Sequence, residues 1–215
     1  EETGMDGAVG LDASRLKGRT LINADSEEEG VLTVGCAGGA RAELRIPVTR
    51  EPVSAPCYTV TVDGLIGGHS GAEIHKGRLN SNIVMGRFLQ SLPEGFRLVK
   101  LVGGLKDNAI PRACQATVVA MGIGLERIND IAAQLQQEVR ETYDEPEALV
   151  QAFDVDALGG NALTTAATAD VISLLCAAPN GVQAYCPDMP ELVQTSLNLG
   201  IAKLGDRFTA TFSVR

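Results

Sequence analysis

Residues 193–215 read Val-Gln-Thr-Ser-Leu-Asn-Leu-Gly-Ile-Ala-Lys-Leu-Gly-Asp-Arg-Phe-Thr-Ala-Thr-Phe-Ser-Val-Arg. In the second half Phe208, Ala210, Phe212 and Val214 alternate with Thr209, Thr211, Ser213 and Arg215, a period of two that marks a half-buried strand. Leu204-Gly205-Asp206-Arg207 before it offers a two-residue turn of Gly-Asp type. The run Val193 to Leu204 then becomes the antiparallel partner, with Leu197, Leu199 and Ile201 on one face. The alternation reaches Arg215 with no turn residue after it, so the expectation is a piece of a longer protein.

Further strand patterns occur at 41–48, 58–63, 96–102, 113–121 and 147–155. Three stretches carry helical periodicity instead. They are Leu79 to Leu92, closed by Pro93; Leu125 to about Tyr143, with Leu125, Ile128, Ala132, Leu135 and Val139 in one stripe; and about Ala162 to Ala178. Strands outnumber helices and come in adjacent pairs, such as 96–102 with 113–121. That order predicts an α+β fold, a mostly antiparallel sheet with helices packed on one face, and argues against a Rossmann-type parallel sheet. Residues 1–30 differ: they are rich in Gly and acid around one apolar run, Thr20 to Ala24, which fits a short buried strand.

The chain has 215 residues, 18 Lys and Arg against 27 Asp and Glu, a net charge of −9 and two histidines, His69 and His75. A mean hydropathy of +0.08 excludes a disordered chain. The acidic balance, with no basic run, gives no footprint for nucleic acid. Nothing approaches the ~18 consecutive apolar residues of a membrane span. Five cysteines (36, 57, 114, 176 and 186) lack a metal-type CxxC spacing, which reads as free thiols in a reducing cytoplasm.

Four stretches could carry chemistry. Glu1-Glu2-Thr3-Gly4 and, further on, Asp25 place carboxylates beside glycine-rich turns, where one can bind a cation while a neighbour acts as general base; acidic runs are also commonly just solvated. In Gly64-Leu65-Ile66-Gly67-Gly68-His69-Ser70-Gly71, after a strand and before a helix, His69 has several roles open to it. It could be an acid, a donor to an oxyanion, a ligand, or a loop histidine with a local bond. His75 lies six residues on, outside the spacing that puts two ligands on one helix face. The loop lacks the Lys-Ser/Thr ending of a P-loop. Asn108 sits in a turn between strands, suited to offering its amide to a substrate or to capping local backbone. Arg215 shares a polar strand face with Thr209, Thr211 and Ser213, suited to bidentate capture of a carboxylate or to solvation. No Gly-x-Ser-x-Gly elbow is present, and no cysteine neighbours a histidine, so a covalent nucleophile has no support.

Six strings, EETGMDGA (1–8), LINADSEEEG (21–30), GCAGG (35–39), GLIGGHSGAEIHKG (64–77), DNAIPR (107–112) and TSLNLG (195–200), occur in an order and form that resembles the aminoacyl-histidine dipeptidases (peptidase D, Xaa-His dipeptidase) of the dizinc, carnosinase-like metallopeptidases. The resemblance implies a zinc catalytic domain interrupted by an α+β lid that also mediates dimerisation. Residues 1–40 would be the closing edge of the catalytic domain's first half, and 41–215 the lid. It further implies Glu1 as general base, Glu2 and Asp25 as zinc ligands, and His69 as the donor that stabilises the oxyanion. Asn108 and Arg215 would contact a small peptide substrate. Two zinc ions per full-length subunit, a cytoplasmic homodimer, and neither nucleic acid nor membrane as partner complete the expectation. The family's upstream H-x-D histidine, its bridging carboxylate and its downstream histidine are absent from these residues. The chain alone is therefore expected to be inactive and to bind no zinc tightly. A non-catalytic lid module, or a related aminopeptidase, tripeptidase or deacylase, is the competing reading.

Overall fold

The computed structural model describes residues 6–22 and 29–215, with backbone alone at 156–158. The chain divides into two compact units, Glu1–Cys36 and Ala37–Arg215. In the first, a single helical turn, α1 (Asp6–Val9), precedes a 3-10 turn at Ala13–Arg15. Asp12 caps that turn, its carboxylate accepting from the Ser14 amide at 3.1 Å and the Ser14 hydroxyl at 2.6 Å. The strand expected from Thr20 to Ala24 is not formed over its described part. Residues 20–22 are irregular, and Leu21 and Ile22 are exposed. No strand of this unit offers a ladder to them among the described residues, and a lone strand has no hydrogen-bonding partner.

The second unit is the α+β layer predicted. In chain order it comprises β1 (Ala40–Pro47), β2 (Arg50–Asp63), β3 (Gly68–His69), α2 (Ser81–Ser91), β4 (Phe96–Gly103), β5 (Ala109–Ile110), β6 (Cys114–Ala120), α3 (Leu125–Tyr143), β7 (Leu149–Leu163), α4 (Thr165–Ala177), β8 (Gly181–Cys186), β9 (Met189–Leu204) and β10 (Arg207–Val214). The main sheet runs β1-β10-β9-β4-β6-β2-β7, with β8 also paired to β9, and β3 with β5 makes a separate two-stranded ribbon. Every pairing is antiparallel. The helices bury apolar stripes against alternate strand residues, among them Val60, Val62, Leu98, Leu101, Ala116, Val118, Phe208 and Ala210. In α3 the buried positions are Ile128, Ile131, Ala132, Leu135 and Val139, so the stripe read from spacing is the one that packs.

Several boundaries differ from the sequence reading, three of them for a clear local reason. The third helix starts at Thr165, because Ala162 and Leu163 continue β7 and pair with Glu51 and Arg50. Thr164 then caps it, its hydroxyl accepting from the Ala167 amide at 3.2 Å. Strand β2 extends back to Arg50 through Pro52 and Pro56, with register shifts at Val53/Pro56 and Pro56/Cys57 that accommodate proline in the ladder. The terminal hairpin pairs Leu204 with Phe208, so three residues lie between paired positions. Its ladder steps from Thr211–Ile201 to Phe212–Leu199, leaving Gly200 unpaired across β10. That bulge reverses the alternation: Leu199, Ala202 and Leu204 enter the core, while Ile201 turns to the other side.

Candidate functional site

The site grows from the glycine-rich loop after β2. Gly64, Gly67 and Gly68 all have positive φ (74°, 63° and 139°), a run that a chain with Cβ atoms adopts only under strain. Space forbids side chains there too: a Cβ on Gly64 would lie 2.1 Å from the Glu147 carbonyl oxygen. Glu145, almost fully buried after the left-handed Asp144 ends α3, binds both ends of the loop. Its carboxylate accepts from the Ile66 amide at 2.7 Å and the Leu79 amide at 3.3 Å. Arg112 donates to the Leu65 carbonyl at 2.8 Å and Arg78 to the Gly67 carbonyl at 2.5 Å. The loop is thus held from outside by Glu145 and Arg112 and from within by Arg78.

Ribbon β3–β5 pairs His69 with Ala109 and Gly68 with Ile110. The Ser70 amide donates to the Asn108 carbonyl at 2.9 Å, which ties the histidine loop to the Asn108 turn. The His69 ring is fixed through Nδ1, which accepts from the Gly71 amide at 3.1 Å and the Ala72 amide at 3.0 Å. With Nδ1 an acceptor, this network assigns the ring proton to Nε2. The exposed end of the imidazole is then a hydrogen-bond donor, and it lacks the lone pair a metal would need there.

Arg215 reaches the same place from the end of β10. Its Nη1 donates to the buried Ser70 hydroxyl at 2.7 Å, across 145 residues of sequence. A Cβ on Gly71 would lie 3.1 Å from Arg215 Cζ and Nε and also 3.1 Å from His69 Cε1. Glycine at 71 therefore lets the guanidinium and the imidazole approach one another. The structure brings together three residues singled out from sequence, His69, Asn108 and Arg215, while Asn108 supplies a structural carbonyl in addition to its exposed side chain. Glu1, Glu2 and Asp25 lie outside the described residues. Beside the cluster, ribbon residues Ala109 and Ile110 join Val102, Leu105 and Pro111 in lining a mostly apolar groove of about 700 Å³, next in sequence to Asn108.

Glu73 supports the cluster electrostatically. Hydrogen bonds from the Lys76 ammonium (2.9 Å) and the His69 amide (3.0 Å), with the Arg78 guanidinium nearby, hold its carboxyl down at about 2 from an ordinary 4.5. A carboxyl depressed in the folded protein contributes stability in full above about pH 4.5, and that contribution is lost as the pH falls through about 2. Amide-exchange protection of residues 69–73 should therefore hold steady down to about pH 4.5 and fall towards pH 2; in Glu73→Ala it should already be low at neutral pH. Constant protection across that window would remove Glu73 from this role. The cysteines are free thiols, and burial pushes the Cys114 thiol strongly up, away from nucleophilic use.

Sequence reasoning missed Ser70, Gly71, Glu145, Arg78 and Arg112 as the supports of the site. Ser70 and Gly71 lie inside the glycine-rich motif, but their contact with Arg215 has no signal in local pattern. Among the described residues, no group of three or more His, Cys, Asp or Glu side chains is arranged to hold a metal ion. No described helix is long and apolar enough to cross a membrane.

Residues 60–147, which include the histidine loop, ribbon β3–β5 and α3, match the peptidase dimerisation domain family. Over 96% of its length the chain is 38% identical to the cytosol non-specific dipeptidase of Escherichia coli (strain K12), and spans 44% of that protein. It also superposes over 100% of its length on the crystal structure of aminoacylhistidine dipeptidase from Vibrio alginolyticus, with a TM-score of 0.80 and 36% identity, covering 45% of that chain. The chain thus spans a little under half the length of the relatives it matches. The chain is thus similar, in residues 60–147, to the peptidase dimerisation domain family and, almost throughout its length, to part of a dipeptidase.

Proposed function

We propose that this chain is the lid and dimerisation part, residues 41–215, with an edge of the catalytic domain, residues 1–40, of a metal-dependent dipeptidase acting on Xaa-His-type dipeptides. The observation that carries the reading is the His69 ring. Its Nδ1 is engaged by two backbone amides, and the Cε1 edge of the ring lies near the Arg215 guanidinium over Gly71. A fixed N–H donor next to a guanidinium suits a substrate with a carbonyl to polarise and a carboxylate to anchor. In this reading Nε2 of His69 donates to the oxygen on which negative charge develops, where a preorganised donor lowers the barrier. Arg215 holds the dipeptide's C-terminal carboxylate, and the Asn108 amide contacts its backbone.

The described residues do not by themselves fit a zinc site, since they offer no ligand cluster and His69 Nε2 carries a proton. Glu2 and Asp25 are proposed as ligands and Glu1 as the general base, by resemblance. Zinc, two ions per full-length subunit, would supply an activated water and a polarised carbonyl when bound. Two carboxylates fall short of the four ligands that hold zinc firmly, so the chain alone is proposed to be inactive and to bind zinc weakly. Pairing through the dimerisation domain makes a homodimer the proposed assembly, and the E. coli relative's name supports a cytoplasmic setting.

The name of that relative favours a second reading, a dipeptidase with no demand for histidine. The test is hydrolysis of β-Ala-His, Gly-His and Gly-Leu by the full-length protein supplied with zinc, next to the 215-residue chain alone. The first reading expects histidine dipeptides to be cleaved fastest, and an inactive short chain. Equal rates on Gly-Leu select the second reading. Turnover by the short chain would overturn the proposed division of labour.

A further inference from the structure

The residues 196–200 of β9 lie behind all three candidate groups. Asn198, 1% exposed, donates from Nδ2 to the Asp107 carbonyl at 3.0 Å and the Ala109 carbonyl at 2.8 Å, the carbonyls of the two residues that flank Asn108. Its Oδ1 accepts from Asn80 Nδ2 at 3.3 Å. Asn80, also buried, donates as well to Asn180 Oδ1 at 3.1 Å and the Leu199 carbonyl at 3.0 Å, and Asn180 Oδ1 accepts from the Leu199 amide at 2.9 Å. Two residues before Asn198, Ser196 exchanges both backbone hydrogen bonds with Arg215, at 2.7 and 3.0 Å. Two residues after it, Gly200 is the bulge, and a Cβ there would lie 2.4 Å from the Asp107 carbonyl oxygen.

We infer that Asn198 is a positioning residue for the substrate-binding cluster, its amide clamping the turn that carries Asn108 and, through it, the His69 loop. A buried amide facing two carbonyls is a demanding arrangement: the donor must be retained, because leaving buried acceptors unpaired is costly. The coupling path is short. Asn198 fixes the 107–109 peptides, the Asn108 carbonyl fixes the Ser70 amide, and Ser70 carries both the His69 peptide and the Arg215 contact. Ser196 sets the backbone of Arg215 on the same strand. A one-residue slip or a lost donor in this stretch would displace Asn108, His69 and Arg215 together. The catalytic part of this inference rests on the dipeptidase reading; the clamp itself does not.

The test uses Asn198→Asp, which keeps the shape but replaces the donor, and Gly200→Ala, whose added Cβ presses on the same turn at Asp107 with every amide retained. In the full-length protein, amide exchange in residues 68–72 and 106–110 should accelerate in both variants while α3 keeps its protection. No local acceleration in Gly200→Ala, or in a folded Asn198→Asp, would overturn the clamp whether or not dipeptides are cleaved. On a dipeptide the wild type cleaves, kcat/KM should fall between about tenfold and 10²-fold, the scale of a small misplacement of reacting groups. In a His69→Ala background the same substitutions should cost less than in the wild type, since part of their effect is to displace that ring. Equal losses in both backgrounds would make Asn198 a residue of general stability only. A wild type that cleaves no dipeptide would end the functional reading and leave the exchange result to decide the clamp.

Discussion

Replacing His69 by alanine in the full-length protein should lower kcat by about 10²–10³-fold, the usual cost of one preorganised oxyanion donor and about 2.7–4 kcal/mol of barrier. KM should change little, because the donor matters most when charge has developed on the carbonyl oxygen. Zinc content should remain at the wild-type level, since the imidazole offers an N–H and no lone pair at its outer end. His69→Gln should recover part of the loss, its amide reaching roughly where Nε2–H stands. The fold should survive both changes, because the loop is also held by Glu145, Arg78 and Arg112. Loss of zinc as the first effect of His69→Ala would make the residue a ligand, and an unchanged kcat would remove it from the reaction altogether.

How much of this was legible in the sequence depends on the range of the interaction involved. Periodicity within one element identified α3 and β10 nearly to the residue, because a stripe of Ile128, Ala132, Leu135 and Val139 needs only its own helix to be recognised. The start of α4 was misplaced because Ala162 and Leu163 are claimed by β2, more than a hundred residues away. The two-residue strands β3 and β5 are too short to show a period, yet they pair His69 with Ala109. His69, Asn108 and Arg215 could each be nominated from residue type and loop position. That they meet depends on Ser70, Gly71 and Asn198, whose partners lie 89 to 145 residues distant. Asn198 in particular looks like an ordinary polar interruption of an apolar strand until both carbonyls it binds are located. Glu1, Glu2 and Asp25 were nominated by resemblance and stand outside the described residues.

Arg215→Ala should reduce kcat/KM of the full-length protein by on the order of 10²–10³-fold, chiefly through KM. Truncating one side of a hydrogen-bonded charge pair costs about 2–5 kcal/mol. Among the described residues the guanidinium makes one side-chain hydrogen bond, from Nη1 to Ser70, so the rest of its planar fork is open to a carboxylate. Ser70 and the close passage over Gly71 fix the plane of that fork, which is what a bidentate contact requires. Arg215→Lys should therefore recover only a small part of the activity, because an ammonium supplies charge without the fork. The decisive comparison uses a dipeptide amide, which lacks the carboxylate. The wild type should cleave it about as poorly as Arg215→Ala cleaves the free acid, and Arg215→Ala should cleave the amide no worse than the wild type does. If the substitution weakens both substrates equally, Arg215 serves the His69 loop through Ser70 and does not bind the carboxylate, and the substrate would need another anchor.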